Sequence, residues 1–139
     1  MKKVFLGVLA LLAAMVLVAC GGDEWKDGTY KAEYKDFDDH GYKPYIEVTI
    51  KDGKITEVNY DEKAEDGTNK SEDENYGGGK MSVHPKDVYE QLEKEAVEAQ
   101  SADVEAVSGA TSSSEKFKEL LDYVLTELAP KGTESGTID

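Results

Sequence analysis

Cysteine occurs once in this chain of 139 residues, arginine not at all, and histidine and proline only two and three times. A single cysteine leaves no internal disulfide, so the fold must stand on an apolar core. With no arginine, every cation is a lysine, and 16 lysines face 30 acidic residues for a net charge of -14. Such a balance keeps a protein soluble and argues against nucleic acid as a partner, and against direct adhesion to anionic lipid heads. A long hydrophobic run is also missing. The longest, Val4 through Ala19, has 16 residues, short of the about 20 that a membrane-spanning helix needs. The length suits one small domain after a targeting segment, and no internal repeat is present.

The start of the chain is a targeting pattern. Lys2 and Lys3 precede the apolar run, which ends in Leu17-Val18-Ala19-Cys20 and continues as Gly21-Gly22. That arrangement resembles a bacterial lipobox, which implies cleavage before Cys20, lipid attachment to its sulfur, and retention at the outer face of the cytoplasmic membrane, of a Gram-positive cell. Loss of the leader removes two lysines and no acid, taking the net charge from -14 to -16. The expected organisation is therefore a signal peptide over 1–19, a lipidated tether over 20–26 with Trp25 docking on the domain, a folded domain over 27–129 and a flexible tail over 130–139.

Within the domain, Tyr30, Ala32 and Tyr34 alternate with charged Lys31, Glu33 and Lys35, the period of a half-buried strand. Asp36 to Gly41 reads as a solvated turn without the ligand spacing of a calcium loop, and no metal site is expected. Ile46, Val48 and Ile50, then Ile55, Val58 and Tyr60, mark two further strands, and Asp52-Gly53 between them suits a tight hairpin. Asp61 to Lys80 loses all pattern and reads as a long mobile segment at the rim of the sheet. Its Gly77-Gly78-Gly79-Lys80 lacks both the preceding strand and the following Ser or Thr of a phosphate loop.

Pro85 opens a helix running to about Gln100 with Val88, Leu92 and Ala96 as a narrow stripe beside Tyr89 and Val97. The strongest helix carries Phe117, Leu120, Leu121, Val124, Leu125 and Leu128 on one face. Before it stands Ser108-Gly109-Ala110-Thr111-Ser112-Ser113-Ser114-Glu115. Ser112 and Glu115 have the spacing of a capping box, which predicts Ser112 as N-cap and Thr111 just outside the first turn. The resulting fold class is α+β, a small antiparallel sheet of three or four strands covered by two main helices and preceded by a lipoprotein signal peptide. From the local pattern alone the hydroxyl run is a polar cap. It is also a place where first-turn amides, the helix dipole and Gly109 favour a bound anion.

Several motifs then occur in one order: Asp27-Gly28-Thr29-Tyr30, Gly41-Tyr42, Asp52-Gly53-Lys54-Ile55, and Asp103 through Val107 followed by Ser108-Gly109-Ala110-Thr111-Ser112-Ser113. In that order they resemble the FMN-binding domain family, over about Asp27 to Leu128. The family includes flavin subunits of sodium-pumping NADH:quinone oxidoreductases and small lipoproteins linked to extracellular electron transfer. The resemblance implies FMN bound covalently through its phosphate to Thr111, in a bond made from FAD by a separate flavin transferase. It implies that Ser108, Gly109, Ala110, Ser112 and Ser113 surround that attachment, with Tyr42, Tyr76 and Met81 as candidates to flank the ring. Glu105 stands where the transferase signature has an aspartate, which keeps the charge on a longer arm.

The implied activity is that of a lipid-anchored electron carrier without a catalytic side chain of its own. A membrane reductase or quinol would be the donor and an extracellular species the acceptor. The surrounding acidic surface would disfavour the anionic reduced flavin and lower its potential. The alternative is a binding or sensory lipoprotein that holds FMN reversibly or not at all. In a third reading the cleaved leader yields a signalling peptide.

Overall fold

A computed structural model describes residues 24–74 and 83–139. The expected leader, the lipidation candidate Cys20, the glycine run and the ring candidates Tyr76 and Met81 lie outside the described residues. The rest is an α+β fold: β1 (Gly28–Tyr34), β2 (Tyr42–Lys51), β3 (Lys54–Ala64), a 3-10 turn (Lys70–Glu72), α1 (Pro85–Ala99), α2 (Thr111–Tyr123) running into a π-helical turn (Val124–Leu128), and β4 (Ser135–Ile138). The sheet order is β3-β2-β1-β4. Both helices lie on one face, over Tyr30, Ala32, Ile46, Val48, Ile50, Ile55, Val58 and Tyr60, all buried.

The hairpin forms as its sequence dictates, with Asp52 and Gly53 at φ 55° and 76° and Lys51 paired to Lys54. Spacing in β3 is irregular, since Ile55 and Val58 are three residues apart. A register shift beside Thr49 and Ile50 explains this: Ile50 faces Ile55 while Thr49 faces Glu57, so Thr56 is the extra residue of a bulge. Beyond the bulge the strict period of two resumes, and Val58, Tyr60 and Glu62 all point inward.

Two expectations are corrected here. By composition Asp61 to Lys80 reads as a mobile rim, yet β3 continues to Ala64 and the following turn is ordered by side-chain bonds. Asp61 accepts the amides of Glu62 (2.9 Å) and Ser71 (3.1 Å) and the Ser71 hydroxyl. Polar composition hid this segment because its hydrogen bonds replace apolar contact as the organising force. The tail over 130–139 reads as flexible from its sequence, but Ser135–Ile138 forms β4 and pairs parallel to β1, so the sheet is not wholly antiparallel. Open backbone groups on the β1 edge supply the pairing, and Gly136 lets the strand pass the Tyr123 ring, where a β-carbon would collide.

At the opposite edge, α1 covers β3 with polar side chains. Gln100, in a left-handed conformation at the helix end, accepts the Ile55 amide and donates to the Ile55 carbonyl, both at 2.9 Å. Glu93 Oε2 accepts the Tyr60 amide at 2.7 Å. Burial raises the Glu93 pKa and the carboxylates of Glu90, Asp61 and Glu57 add to it, against the Tyr60 amide, for a value of about 7 in place of 4.5. The folded state therefore keeps a proton that the unfolded chain releases between those values, and stability falls as pH rises through that window. Glu93→Gln keeps an acceptor for Tyr60 and cannot ionise. It should unfold at higher denaturant than the parent at about pH 8, with the gap closing toward about pH 5. Parallel urea titrations at the two pH values measure this, and a gap independent of pH would contradict it.

Candidate functional site

The site forms where β3, the 36–41 loop and the start of α2 converge. Gly109 at φ 85° turns the chain, the Ala110 amide donates to the Val107 carbonyl at 2.9 Å, and the helix begins at Thr111. This overturns the predicted capping box. Ala110 is the N-cap and supplies no side-chain bond, so Ser112 lies inside the first turn and Thr111 is its first residue. The reason is Ser114. Its buried hydroxyl accepts the Val107 amide (2.9 Å) and donates to the Ala110 carbonyl (2.7 Å), closing the turn so that the helix starts two residues before a Ser112 cap would start it.

The hydroxyl run thus divides by direction. Ser113 and Ser114 turn inward to hold the helix, whereas Thr111 and Ser112 are exposed. The Thr111 hydroxyl makes no hydrogen bond among the described residues. The amides of the first turn, lacking a side-chain cap, keep the positive end of the helix open.

Thr111 stands on the wall of a cavity of about 190 Å³ together with Gly109, Ala110, Ser112 and Ser113. Ser108 is exposed and is not on that wall. Tyr42 is likewise set back from it, with the Lys70 ammonium 4.7 Å from its ring. Val83, Pro85 and Val88 give the cavity an apolar side, and Asp38, His40, Glu62, Lys70, Tyr89 and Lys116 a polar one.

Those polar residues were not found from the sequence, and they set the electrostatics. Glu62 is fully buried. Its Oε1 accepts from Lys70 Nζ at 2.9 Å, and its Oε2 from the Tyr60 hydroxyl at 2.7 Å and the Ser113 hydroxyl at 2.8 Å. Burial alone would raise its pKa. The Lys70 charge and the bonds from Tyr60, Lys70 and Ser113 outweigh that and hold it below the usual range. Tyr60 moves the other way, its pKa raised by burial and by the Glu62 charge. On the far wall Lys116 Nζ binds Asp38 Oδ2 at 2.8 Å, while Asp38 Oδ1 accepts the amides of His40 and Tyr42. Burial opposes ionisation of Asp38, but the Lys116 bond and the two amides bring its pKa to about 2. Asp38 therefore ties the 36–41 turn to α2 rather than hanging in solvent. Among the described residues no group of three His, Cys, Asp or Glu side chains is placed to hold a metal ion.

Tyr89 is buried, and its hydroxyl meets no partner in good hydrogen-bond geometry among the described residues, although the Ser113 hydroxyl and the Glu62 carboxylate are near enough to act on it. Tyr89 lines the cavity. Together, an open helix start, an apolar wall and an exposed threonine fit the phosphate end of a flavin nucleotide. The volume is below the roughly 300–1,000 Å³ of a drug-sized pocket, so such a ligand would be only partly enclosed.

Comparison with known proteins agrees with this chemistry. A family model described as the FMN-binding domain matches residues 40–126. The 15 kDa lipoprotein of Treponema pallidum (strain Nichols) is 34% identical over 136 residues, spanning 95% of this chain and 96% of its own. A crystal structure of a Clostridium perfringens protein has a TM-score of 0.77 at 40% identity, covering 83% of this chain and 97% of that one. A solution NMR structure from Clostridium thermocellum has a TM-score of 0.53 at 31% identity, covering 73% and 91% respectively.

Removing one partner of a buried ion pair strands the other charge, at a cost of about 3–5 kcal/mol. Glu62→Gln should show a loss of that order in urea unfolding. The double substitution Glu62→Leu with Lys70→Met should recover a large part of it. A loss under about 1 kcal/mol for Glu62→Gln would mean that Glu62 does not hold the site together.

Proposed function

The chain belongs to the FMN-binding domain family, and from that premise we propose that it carries FMN covalently on Thr111 and serves as a lipid-anchored electron carrier outside the cytoplasmic membrane. The observation that carries this reading is the state of Thr111: exposed, unbonded among the described residues, first in a helix whose opening turn has no side-chain cap, at the wall of the cavity. When bound, FMN supplies the redox chemistry that no side chain here provides.

In the attachment step, Thr111 Oγ1 exchanges its proton for the flavin-bearing phosphorus of FAD. The pyrophosphate bond breaks and AMP leaves, on a transferase that recognises the segment around Glu105 and Ser108 to Thr111. The phosphodiester keeps one negative charge, which the first-turn amides of Thr111, Ser112 and Ser113 stabilise. Val83, Pro85 and Val88 exclude water from the apolar side of the cavity. Ser113 is a positioning residue, since its hydroxyl is spent on Glu62.

Anchoring follows from the same geometry. The lipobox at Cys20 and a lipoprotein relative support attachment at that cysteine. Trp25 Nε1 donates to the Leu125 carbonyl at 3.1 Å and the Lys26 amide to the Ala129 carbonyl at 3.0 Å. The tether thus meets the domain at the C-terminal end of α2, and Thr111 lies at its N-terminal end, about 20 Å away by helical rise. The flavin would then sit at the end of the domain remote from the anchor, on the side open to the extracellular acceptor.

The full-length chain co-expressed with a flavin transferase should fluoresce as a flavoprotein on a denaturing gel. Thr111→Ala should abolish the band, Thr111→Ser retain part of it, and Ser112→Ala leave it in place. Fluorescence that survives Thr111→Ala, or its absence from the parent chain, would sink the proposal.

A further inference from the structure

The open face of the sheet carries a feature that the flavin reading does not use. Three of its outward side chains, Lys31, Lys43 and Lys63, gather around two aromatic rings in a chain of net charge -14. Lys31 and Lys63 lie 5.7 and 5.1 Å from the Tyr45 ring centre, and Lys43 lies 4.8 Å from that of Phe37. None of the three pairs with a carboxylate among the described residues, although Glu33 and Glu65 line the same shallow hollow. Lys43 and Lys63 are direct cross-strand partners, a like-charge pairing that costs stability. Phe37, at 42% exposure, is the one large hydrophobic side chain left exposed among the described residues.

We infer that this face is the docking surface for an acidic partner protein, with Phe37 as its apolar anchor and Lys31, Lys43 and Lys63 as its charged rim. Charge complementarity selects the occupant. A plane of anionic lipid would also meet the acidic remainder of the surface and be repelled by it, whereas a compact carboxylate patch meets three lysines against Glu33 and Glu65 alone in the hollow. An exposed aromatic flanked by a cation, with two more lysines on the neighbouring Tyr45 ring, has the anatomy of a small, transient interface. Position supports a role in electron transfer, and this part rests on the flavin proposal. Phe37 belongs to the turn whose Asp38 and His40 line the cavity, so docking surface and cavity lie back to back across one sheet, on the order of 10 Å.

The test uses the full-length, unflavinylated chain in zwitterionic detergent, titrated with an oligoglutamate peptide and followed by amide NMR. Shifts should centre on residues 31, 37, 43, 45 and 63 and vanish as salt is raised to about 0.5 M. Joint replacement Lys31→Gln, Lys43→Gln and Lys63→Gln should weaken binding roughly tenfold without lowering the melting temperature, because the like-charge pair is relieved. Phe37→Ser, at an exposed position, provides a second variant with the charges intact and should also bind more weakly. Shifts elsewhere, no shifts, or equal binding by the triple variant would overturn the inference. So would lysine-dependent binding to phosphatidylglycerol vesicles in place of the peptide. A chain that binds the peptide but takes no flavin removes the carrier reading and leaves the docking surface standing. A flavinylated chain that ignores the peptide does the reverse.

Discussion

A carboxylate buried in a small domain must be met by donors on both oxygens, and at Glu62 those donors come from three separate parts of the chain. Lys70 arrives from the 3-10 turn, Tyr60 from the same strand and Ser113 from the first turn of α2. The arrangement fixes where α2 starts relative to β3, and the position of Thr111 follows. A hydrophobic contact in its place would tolerate a shift of an ångström or a rotation of the helix, whereas hydrogen-bond geometry tolerates neither. The aromatic packing of Tyr60 against Tyr89 and Phe117, with ring centres 4.9 and 5.4 Å apart, holds the acceptor side equally firmly.

From this tie the rest of the domain divides into two ends. At one, Trp25 and Lys26 dock by the C-terminal end of α2, where the anchor would join. At the other, the start of α2, the Asp38 turn and the β3 end close around the cavity, with Lys116 joining the turn to the helix. A helix held at both ends acts as a spacer, and the sheet behind it separates the cavity from the lysine-rich outer face. With no disulfide, the fold is held by one apolar core between sheet and helices, and by polar closures at its edges, Gln100 and Glu93 on β3 and the β4 pairing on β1.

The residues that periodicity can report were legible. Alternation gave β1 and β2, the Asp52-Gly53 turn gave the hairpin, and the leucine stripe gave α2, because each reflects burial on one face repeated along the chain. Glu62 was hidden by its type, since an acidic residue in an acidic stretch reads as solvated although the period of two from Val58 and Tyr60 pointed inward. Ser114 was hidden by competition within the hydroxyl run, where Ser112 has the textual spacing of a cap and only three-dimensional closure onto Val107 decides otherwise. Lys70 and Lys116 carried no local signal, as their partners are 8 and 78 residues away. The tail became β4 through backbone pairing, which leaves little trace in side-chain pattern. Thr111 itself is singled out by motif order, and its hydroxyl makes no hydrogen bond among the described residues.

The account turns on one bond, between Thr111 and a flavin phosphate. Phosphorus NMR of the full-length chain after co-expression with a flavin transferase tests it directly. A phosphodiester has no second ionisation, so the account predicts a protein-borne signal whose shift stays constant between about pH 5 and pH 8. A phosphate ester with a free second acid group titrates near about pH 6. A signal that moves through that range, or that leaves the protein on denaturation, would show FMN held without the bond and contradict the account.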